Sequence, residues 1–372
     1  MRRAIREGAA RPAVVAVLIF IFGAVFYPSS LTVFDLNSTV STAAPIVLLA
    51  LGMTFVLLAG EIDLSVGSVM SLASILLATW MGGRDALIVP TILLTLAACA
   101  GIGLVNGLLT VYARIPSFIV TLSTLFILGG LNLFWTNGSP PNNLAPSFLQ
   151  LAIDSKGLFS SGLVVIVVAT VLASLALAKT RFGRHLYLIG SNRRAAYNTG
   201  VPIGMSLIIA FVLSAVCAGL AGAYATSYAG SGQTSLGTGM ELTAIAAAVI
   251  GGVSLFGGRG TPAGACVGAL ILALLFNVLL IAGASADLQP IVTGIVLVLG
   301  SLAYNRTASS GHWLRALLRL TVHVARSFHG PTAPGADHSP SGAVGPTNRS
   351  TSSPYQTVAL ARAHGPDADA SP

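Results

Sequence analysis

The sequence predicts an all-α polytopic membrane protein of about ten transmembrane helices, some of them broken, in two loosely related halves. Three observations point there. Hydrophobic residues make up 54% of the 372 residues and charged residues only 8%, with a mean hydropathy of +0.85, far from the balance of a soluble domain. Apolar runs recur at the length a bilayer demands, roughly 20 residues of helix. Arginines gather at the ends of those runs, as the positive-inside rule expects. The net charge of +8 is thereby read as membrane topology, with lipid as the partner and no nucleic acid.

Taken in order, the chain opens on MRRAIREGAARPAVVAVLIFIFGAVFYPSS, a basic flank and a short apolar run. Bulky Phe26 and Tyr27 occupy the place where signal cleavage needs small residues, so 13–27 reads as a retained first span, with 1–12 in the cytoplasm. Further spans are expected at 44–60, 64–82, 86–112, 117–136, 158–178, 205–226, 240–256, 262–283 and 287–304, which makes 13–304 the transmembrane domain. This count puts the basic segments at Arg114, 179–204 and Arg259 on the cytoplasmic side, together with both termini. Gly and Ala in GIGLVNGLL (101–109) and AGACVGALI (263–271) allow close helix approach. Two Gly-rich breaks, AGEIDLSVGS (59–68) and IGGVSLFGGRGTPAG (250–264), echo one another loosely, and paired broken helices are typical of transporters. Past the last span, 305–328 holds a basic amphipathic segment with Trp313, Leu317, Leu320 and Val324 opposite Arg315, Arg319 and Arg326, suited to anionic lipid. Residues 329–372, rich in Pro, Ser, Gly, Ala and Thr, are expected to be disordered.

Catalysis finds no foothold. The chain lacks an HExxH pair, a nucleophile elbow and a GxxxxGK[ST] loop, and neither Lys156 nor Lys179 follows the glycines of a phosphate loop. Cys99, Cys217 and Cys266 sit singly in apolar runs, and no histidine precedes His185, so no metal site and no cofactor are expected. Attention falls instead on polar groups in oily surroundings. Asp63 and Glu241 each open an apolar helical run, where a carboxylate satisfies free N–H groups near the positive end of the helix dipole; a gate or pathway role overlaps with that one. Ser65, Asn106, Thr121 and Ser123 are further pathway candidates, with helix-to-helix hydrogen bonding as the alternative. The loop KTRFGRHLYLIGSNRRAAYNTGVPIG (179–204) carries signals for a short capped helix. Ser191 or Asn192 can start it, Gly200 can end it, and Pro202 prevents its return. Ala195 and Ala196 offer it a flat face for a groove in a soluble partner.

Four motifs then appear together: LGMTFVLLAGEIDLSVGSVMSLAS (51–74), NGLLTVYARIPSFIVTLSTL (106–125), GRHLYLIGSNRRAAYNTGV (183–201) and ELTAIAAAVIGGVSLFGGRGTPAGACVGALI (241–271). Over residues 43–304 the chain resembles the permease subunit of bacterial ATP-binding-cassette importers for monosaccharides, the ribose, xylose and arabinose type. The resemblance implies a homodimer in the bacterial cytoplasmic membrane, a cytosolic ABC ATPase subunit that hydrolyses ATP in this chain's stead, and an extracytoplasmic sugar-binding protein. It also implies that the loop around Arg184, Gly190, Asn192, Ala195, Ala196 and Gly200 couples the permease to the ATPase. One position departs from the pattern: Glu61 stands where the family usually has glycine. An ion-driven secondary transporter and a branched-chain amino-acid ABC permease are the rival readings.

Overall fold

The computed structural model describes residues 33–139, 142–153, 155–156, 159–285 and 287–308. The first span at 13–27, most of the amphipathic segment and the tail at 329–372 lie outside the described residues. Helix α1 (Val33–Leu58) is followed by α2 (Val66–Trp80), α3 (Ile88–Val111), α4 (Ser117–Thr136) and the short α5 (Pro146–Ile153). A two-residue antiparallel ladder, β1 (Ser155–Lys156) with β2 (Phe159–Ser160), leads into α6 (Ser161–Lys179). Then come α7 (Arg181–Ser191), α8 (Arg193–Asn198), α9 (Ile203–Ala229), α10 (Met240–Ile250), α11 (Pro262–Ile281) and α12 (Leu288–Ala308).

Boundaries follow local chemistry. Pro116 precedes α4, and Asn137 closes that helix in the left-handed region at φ 48°. Thr261 accepts a hydrogen bond from the Gly264 N–H at 3.1 Å while Pro262 fills the first turn of α11, a proline start with a side-chain cap. Six helical stretches, 37–58, 85–111, 117–136, 161–179, 203–229 and 262–281, are long and apolar enough to cross a membrane. Three more apolar helices, α2, α10 and the Leu288–Val298 part of α12, are shorter. The described residues thus hold six helices of full span length and three shorter ones, and the expected span at 13–27 lies outside them. The run expected at 240–256 is cut short: α10 stops at Ile250, and Gly252, Gly257, Gly258 and Gly260 all take positive φ. A Ser254 N–H to Arg259 carbonyl bond of 2.9 Å folds the segment back.

Helix α1 is the axis of the bundle, every residue from Ala43 to Leu58 being buried, with α9, α11, α10 and α6 packed around it. Among apolar helices in lipid, association rests on close packing more than on water exclusion. The small-residue motifs serve that end. A Cβ on Gly103 would come within 2.5 Å of the Phe211 carbonyl oxygen, and one on Gly107 within 2.8 Å of the Ile208 Cα, so α3 and α9 cross with backbones nearly touching. Outward faces of α3, α4 and α6 carry exposed Leu93, Phe126, Phe134, Val164 and Leu172, the surface a lipid environment accepts. Ser38 and Leu58 lie near opposite ends of α1, about 30 Å apart at 1.5 Å of rise per residue.

Candidate functional site

Around the Leu58 end of α1 the two Gly-rich breaks and the 179–204 loop converge. The Leu58 carbonyl accepts a hydrogen bond from the Gly258 N–H at 2.9 Å. Gly190 lies against both: a Cβ there would run into the Leu58 carbonyl and the Gly258 nitrogen. The Tyr187 hydroxyl donates to the Gly260 carbonyl at 2.7 Å. Burial pushes that phenol above its ordinary value, which keeps it protonated and donating. Asn192 caps α8 by accepting from the Ala195 N–H at 2.9 Å, and Gly200 follows the helix at φ 77°.

Arg184, Asn192, Ala195 and Gly200 are exposed. Ala196 is not: it is 2% exposed and packs inward. The expected two-alanine face is corrected accordingly, because consecutive residues on a helix point about 100° apart at 3.6 residues per turn. Ala195 and Tyr197, the latter 75% exposed, flank the buried Ala196 on either side.

The break between α1 and α2 carries the two carboxylates in different roles. Glu61 reaches the loop: its Oε1 pairs with the Arg193 guanidinium at 2.8 Å, and its Oε2 accepts from the Ser117 hydroxyl at 2.7 Å. Ser117 also accepts from the Ile62 N–H at 3.3 Å. Asp63 turns inward and is fully buried. Its Oδ1 accepts from the Ser65 N–H at 3.0 Å and the Ser65 hydroxyl at 2.6 Å. It thus satisfies the residue just ahead of α2 and leaves the first N–H groups inside the helix alone, one position short of the expected cap. Oδ2 and the Ser214 hydroxyl each lack a partner at hydrogen-bonding geometry among the described residues, yet the hydroxyl lies close enough to act on the carboxylate.

From Ser65 the polar chain continues through buried Asn106, whose Nδ2 donates to the Ser65 hydroxyl at 3.0 Å and whose Oδ1 accepts from Thr124 at 2.7 Å. Thr121 donates to the Ile62 carbonyl at 3.3 Å and to the Ser117 carbonyl at 2.8 Å. A buried polar chain with its members paired holds one arrangement of the helices, since each unpaired group would carry its own desolvation cost. Ser123 stands apart, exposed and bonded back to the Ile119 carbonyl at 2.8 Å. Glu241 lies in the first turn of α10, beside Gly67, where α2 and the 230–239 segment meet backbone to backbone.

Near the other end of α1 a cavity of about 510 Å³ opens between α1, α9, α10, α11, α12, Met70 of α2 and the segment between α9 and α10. Hydroxyl and amide side chains contribute to its wall, among them Ser41, Thr42, Gln233, Asn277, Gln289 and Thr293, with Tyr228 and Phe276 as aromatic faces. Among the described residues no Asp, Glu, Lys or Arg is in that wall. Helix α2 ties the two regions together, since its Ser71 and Ser74 hydroxyls accept from the Gly237 and Gln233 N–H groups at 2.9 and 3.0 Å.

Of the residues expected on a pathway, Asp63, Ser65 and Asn106 join one network, Thr121 bonds the neighbouring Ile62 carbonyl, Glu241 sits against α2, and Ser123 joins none of these; none of the six lines the cavity. Ser117, Thr124 and Arg193 were missed, although the signal for two of them was present. Ser117, Thr121 and Thr124 recur at i, i+4 and i+7 in the sequence, one polar stripe on an apolar helix. The cavity residues had no such signal, being scattered over six helices and the segment between α9 and α10.

Comparison with known proteins gives the following. Residues 36–300 match the family described as branched-chain amino acid transport system, permease component. The chain is 37% identical over 301 residues to the autoinducer 2 import system permease of Salmonella choleraesuis (strain SC-B67), covering 81% of this chain and 85% of the relative. It is 36% identical over 289 residues to the ribose import permease of Bacillus subtilis (strain 168), covering 77% and 89%. The ribose import permease of Escherichia coli (strain K12) is 35% identical over 287 residues, covering 75% and 88%. No solved structure gives a significant match.

Proposed function

The chain belongs to the family described as branched-chain amino acid transport system, permease component, and from that premise we propose that it is the membrane-spanning subunit of an ATP-binding-cassette importer for a monosaccharide. The observation that carries the reading is the kinship with ribose and autoinducer 2 import permeases over at least three quarters of the chain. The geometry supports it. The exposed face of the 179–204 loop offers a docking surface for a cytosolic ATPase, with Gly190 letting the loop rest on the end of α1. Closure of an ATPase pair pushes on α7 and α8; the push reaches Glu61 through Arg193 and the α1–α2 break through Gly190.

Helix α2 then carries it toward the cavity, because Ser71 and Ser74 hold the backbone of 233–237. Alternating exposure of the pathway follows from that lever. The full reading includes ten spans per chain, two permease copies in a bacterial cytoplasmic membrane with cytoplasmic termini, an extracytoplasmic sugar-binding protein, and ATP hydrolysis confined to the partner. The ion-driven alternative is disfavoured because Asp63 and Glu61, the carboxylates it would use, are engaged away from the cavity wall.

The test is a pull-down of the tagged chain in mild detergent from its own host. Stoichiometric recovery of an ABC ATPase is expected. Recovery of the chain alone, under conditions that keep other membrane complexes intact, would sink the importer reading. ATP hydrolysis by the purified chain itself would sink the assignment as a transport subunit only.

A further inference from the structure

We infer that a groove between α6 and α9 is a site for one acyl chain of a glycerophospholipid, held at its ester carbonyl by the hydroxyls of Ser161 and Tyr224. The inference stands on the membrane-embedded character of the chain and is independent of what the chain transports. A second cavity, of about 570 Å³, lies between α1, α3, α5, α6 and α9 and shares no lining residue with the one near Ser38. Among the described residues its wall is apolar except for Ser161, Tyr224 and Ser227. Ser227 is committed, donating to the Phe148 carbonyl at 2.6 Å and accepting from the Ala152 N–H at 3.2 Å. The hydroxyls of Ser161 and Tyr224 are buried and have no hydrogen-bond partner among the described residues, and Tyr224 as a whole is only 8% exposed. Ser160 caps α6 by accepting from the Leu163 N–H at 3.3 Å, which leaves the Ser161 hydroxyl over. Gly162 admits the Tyr224 hydroxyl beside it, since a Cβ there would lie 2.7 Å from that oxygen. Buried hydroxyls without a partner carry a desolvation cost that an acceptor on a ligand removes.

Placement identifies the occupant. Val164, Val168 and Leu172 in the wall are each at least half exposed and belong to the outward face of α6, so the groove opens to lipid. Ser161 is the first residue of α6, and Leu172 stands eleven positions on, about 16 Å away at 1.5 Å of rise per residue. Half the hydrocarbon core of a bilayer is about 15 Å. The groove therefore runs the depth of one leaflet, with both hydroxyls at the end of the span, the level at which tyrosines meet the polar part of a membrane. A whole helix of about 10 Å diameter over the same length would need about 1,300 Å³, more than twice the space present, whereas one extended acyl chain is thin enough to enter. Lipid tails surround every membrane helix, so apolar contact alone does not retain one. The ester carbonyl, an acceptor for two waiting donors, is what sets this place apart from the rest of the bilayer surface.

The test titrates the full chain, purified in mild detergent and stripped of lipid, with dioleoyl phosphatidylglycerol or with its diether analogue, which keeps the chains and headgroup and lacks the ester carbonyls. Native mass spectrometry counts the lipids bound. One lipid per chain is expected to bind ahead of the rest, the diester about tenfold more tightly than the diether. Tyr224→Phe combined with Ser161→Ala deletes only the two unpartnered hydroxyls, and in that variant the two lipids are expected to bind within about twofold of each other. Equal affinity of diester and diether for the parent chain overturns the inference, and so does a preference that survives the double substitution or the lack of any first, tighter lipid.

Two further variants fix the location. Ala169 lies in the wall between Val165 and Leu172, and Ala169→Phe fills the groove, so the first lipid is expected to be lost. A lipid that binds Ala169→Phe as tightly as the parent sits elsewhere and overturns the site. Val168→Cys asks whether a second copy of the chain covers the groove instead. Under mild oxidation in membrane vesicles no disulfide between copies is expected above the background set by the parent chain. Efficient cross-linking of Val168→Cys would put protein where the inference puts lipid, and would overturn it.

Discussion

The Leu58 end of α1 and its Ser38 end are built from opposite materials. At the first, glycines bring backbones into contact, an arginine and a glutamate pair at the surface, and a buried carboxylate anchors a chain of hydroxyls and amides. At the second, hydroxyl, amide and apolar side chains form the described wall, with no charged side chain among the described residues that line it. The first end is crowded, as a transmitter of force must be to avoid losing motion in loose contacts. The second is roomy, a cavity of about 510 Å³ with hydroxyls and amides in its wall. Substitutions can therefore be designed to damage one end and spare the other.

The largest effect is expected from Gly190→Leu. Its side chain has to enter space held by the Leu58 carbonyl and Gly258, and overpacking against backbone costs about 3 kcal/mol or more. Yield and thermal midpoint in detergent should both fall, and ATPase recovery in a pull-down should vanish. Ala195→Arg comes next and separates docking from folding. Ala195 is exposed on α8, so stability should change by less than about 0.5 kcal/mol, while uptake drops to background. Normal uptake by well-expressed Ala195→Arg protein would count against this face as the docking surface.

Asp63→Leu is a smaller lesion at the same end. It strands the Ser65 N–H and hydroxyl in a buried place, at about 1–3 kcal/mol, and thermal unfolding should show the loss. Asp63→Asn, which keeps an acceptor for Ser65, should lose less. If the two variants melted together at the parent temperature, the network would not be holding the break.

The smallest effect on stability belongs to Glu61→Gly. The Arg193 side chain is 57% exposed, and pairs of that kind contribute about 0–1 kcal/mol with screening by salt. Its expected signature is in coupling: ATP hydrolysed per sugar carried should rise, and the exchanged pair Glu61→Arg with Arg193→Glu should restore it in part. An unchanged ratio in Glu61→Gly would leave the pair as surface decoration and put the transmission in Gly190 alone.

The reading of the chain as helical and membrane-embedded rested on hydropathy and arginine placement, which are summed over many residues and tolerate local error. Helix starts at Ser117 and Pro262 were legible because proline and small polar residues act on their own neighbours. Gly200 and Asn192 were legible for the same reason. The end of α10 at Ile250 was misjudged, since an apolar count across Gly251 and Gly252 does not register that consecutive glycines let the backbone turn away. Ala196 was misplaced because its facing depends on how α8 lies on the bundle.

Local sequence thus determined the fold class, the family motifs and the punctuation of the helices, because those depend on backbone propensity and on transfer of short segments into lipid. Tertiary structure alone decided that Glu61 meets Arg193, that Asp63 reaches Thr124 through Ser65 and Asn106, and that residues from Ser38 to Thr293 share one cavity. Such pairings join positions far apart along the chain. They are set by how closely glycine-bearing helices approach and at what rotation, and neither quantity is written in any one segment.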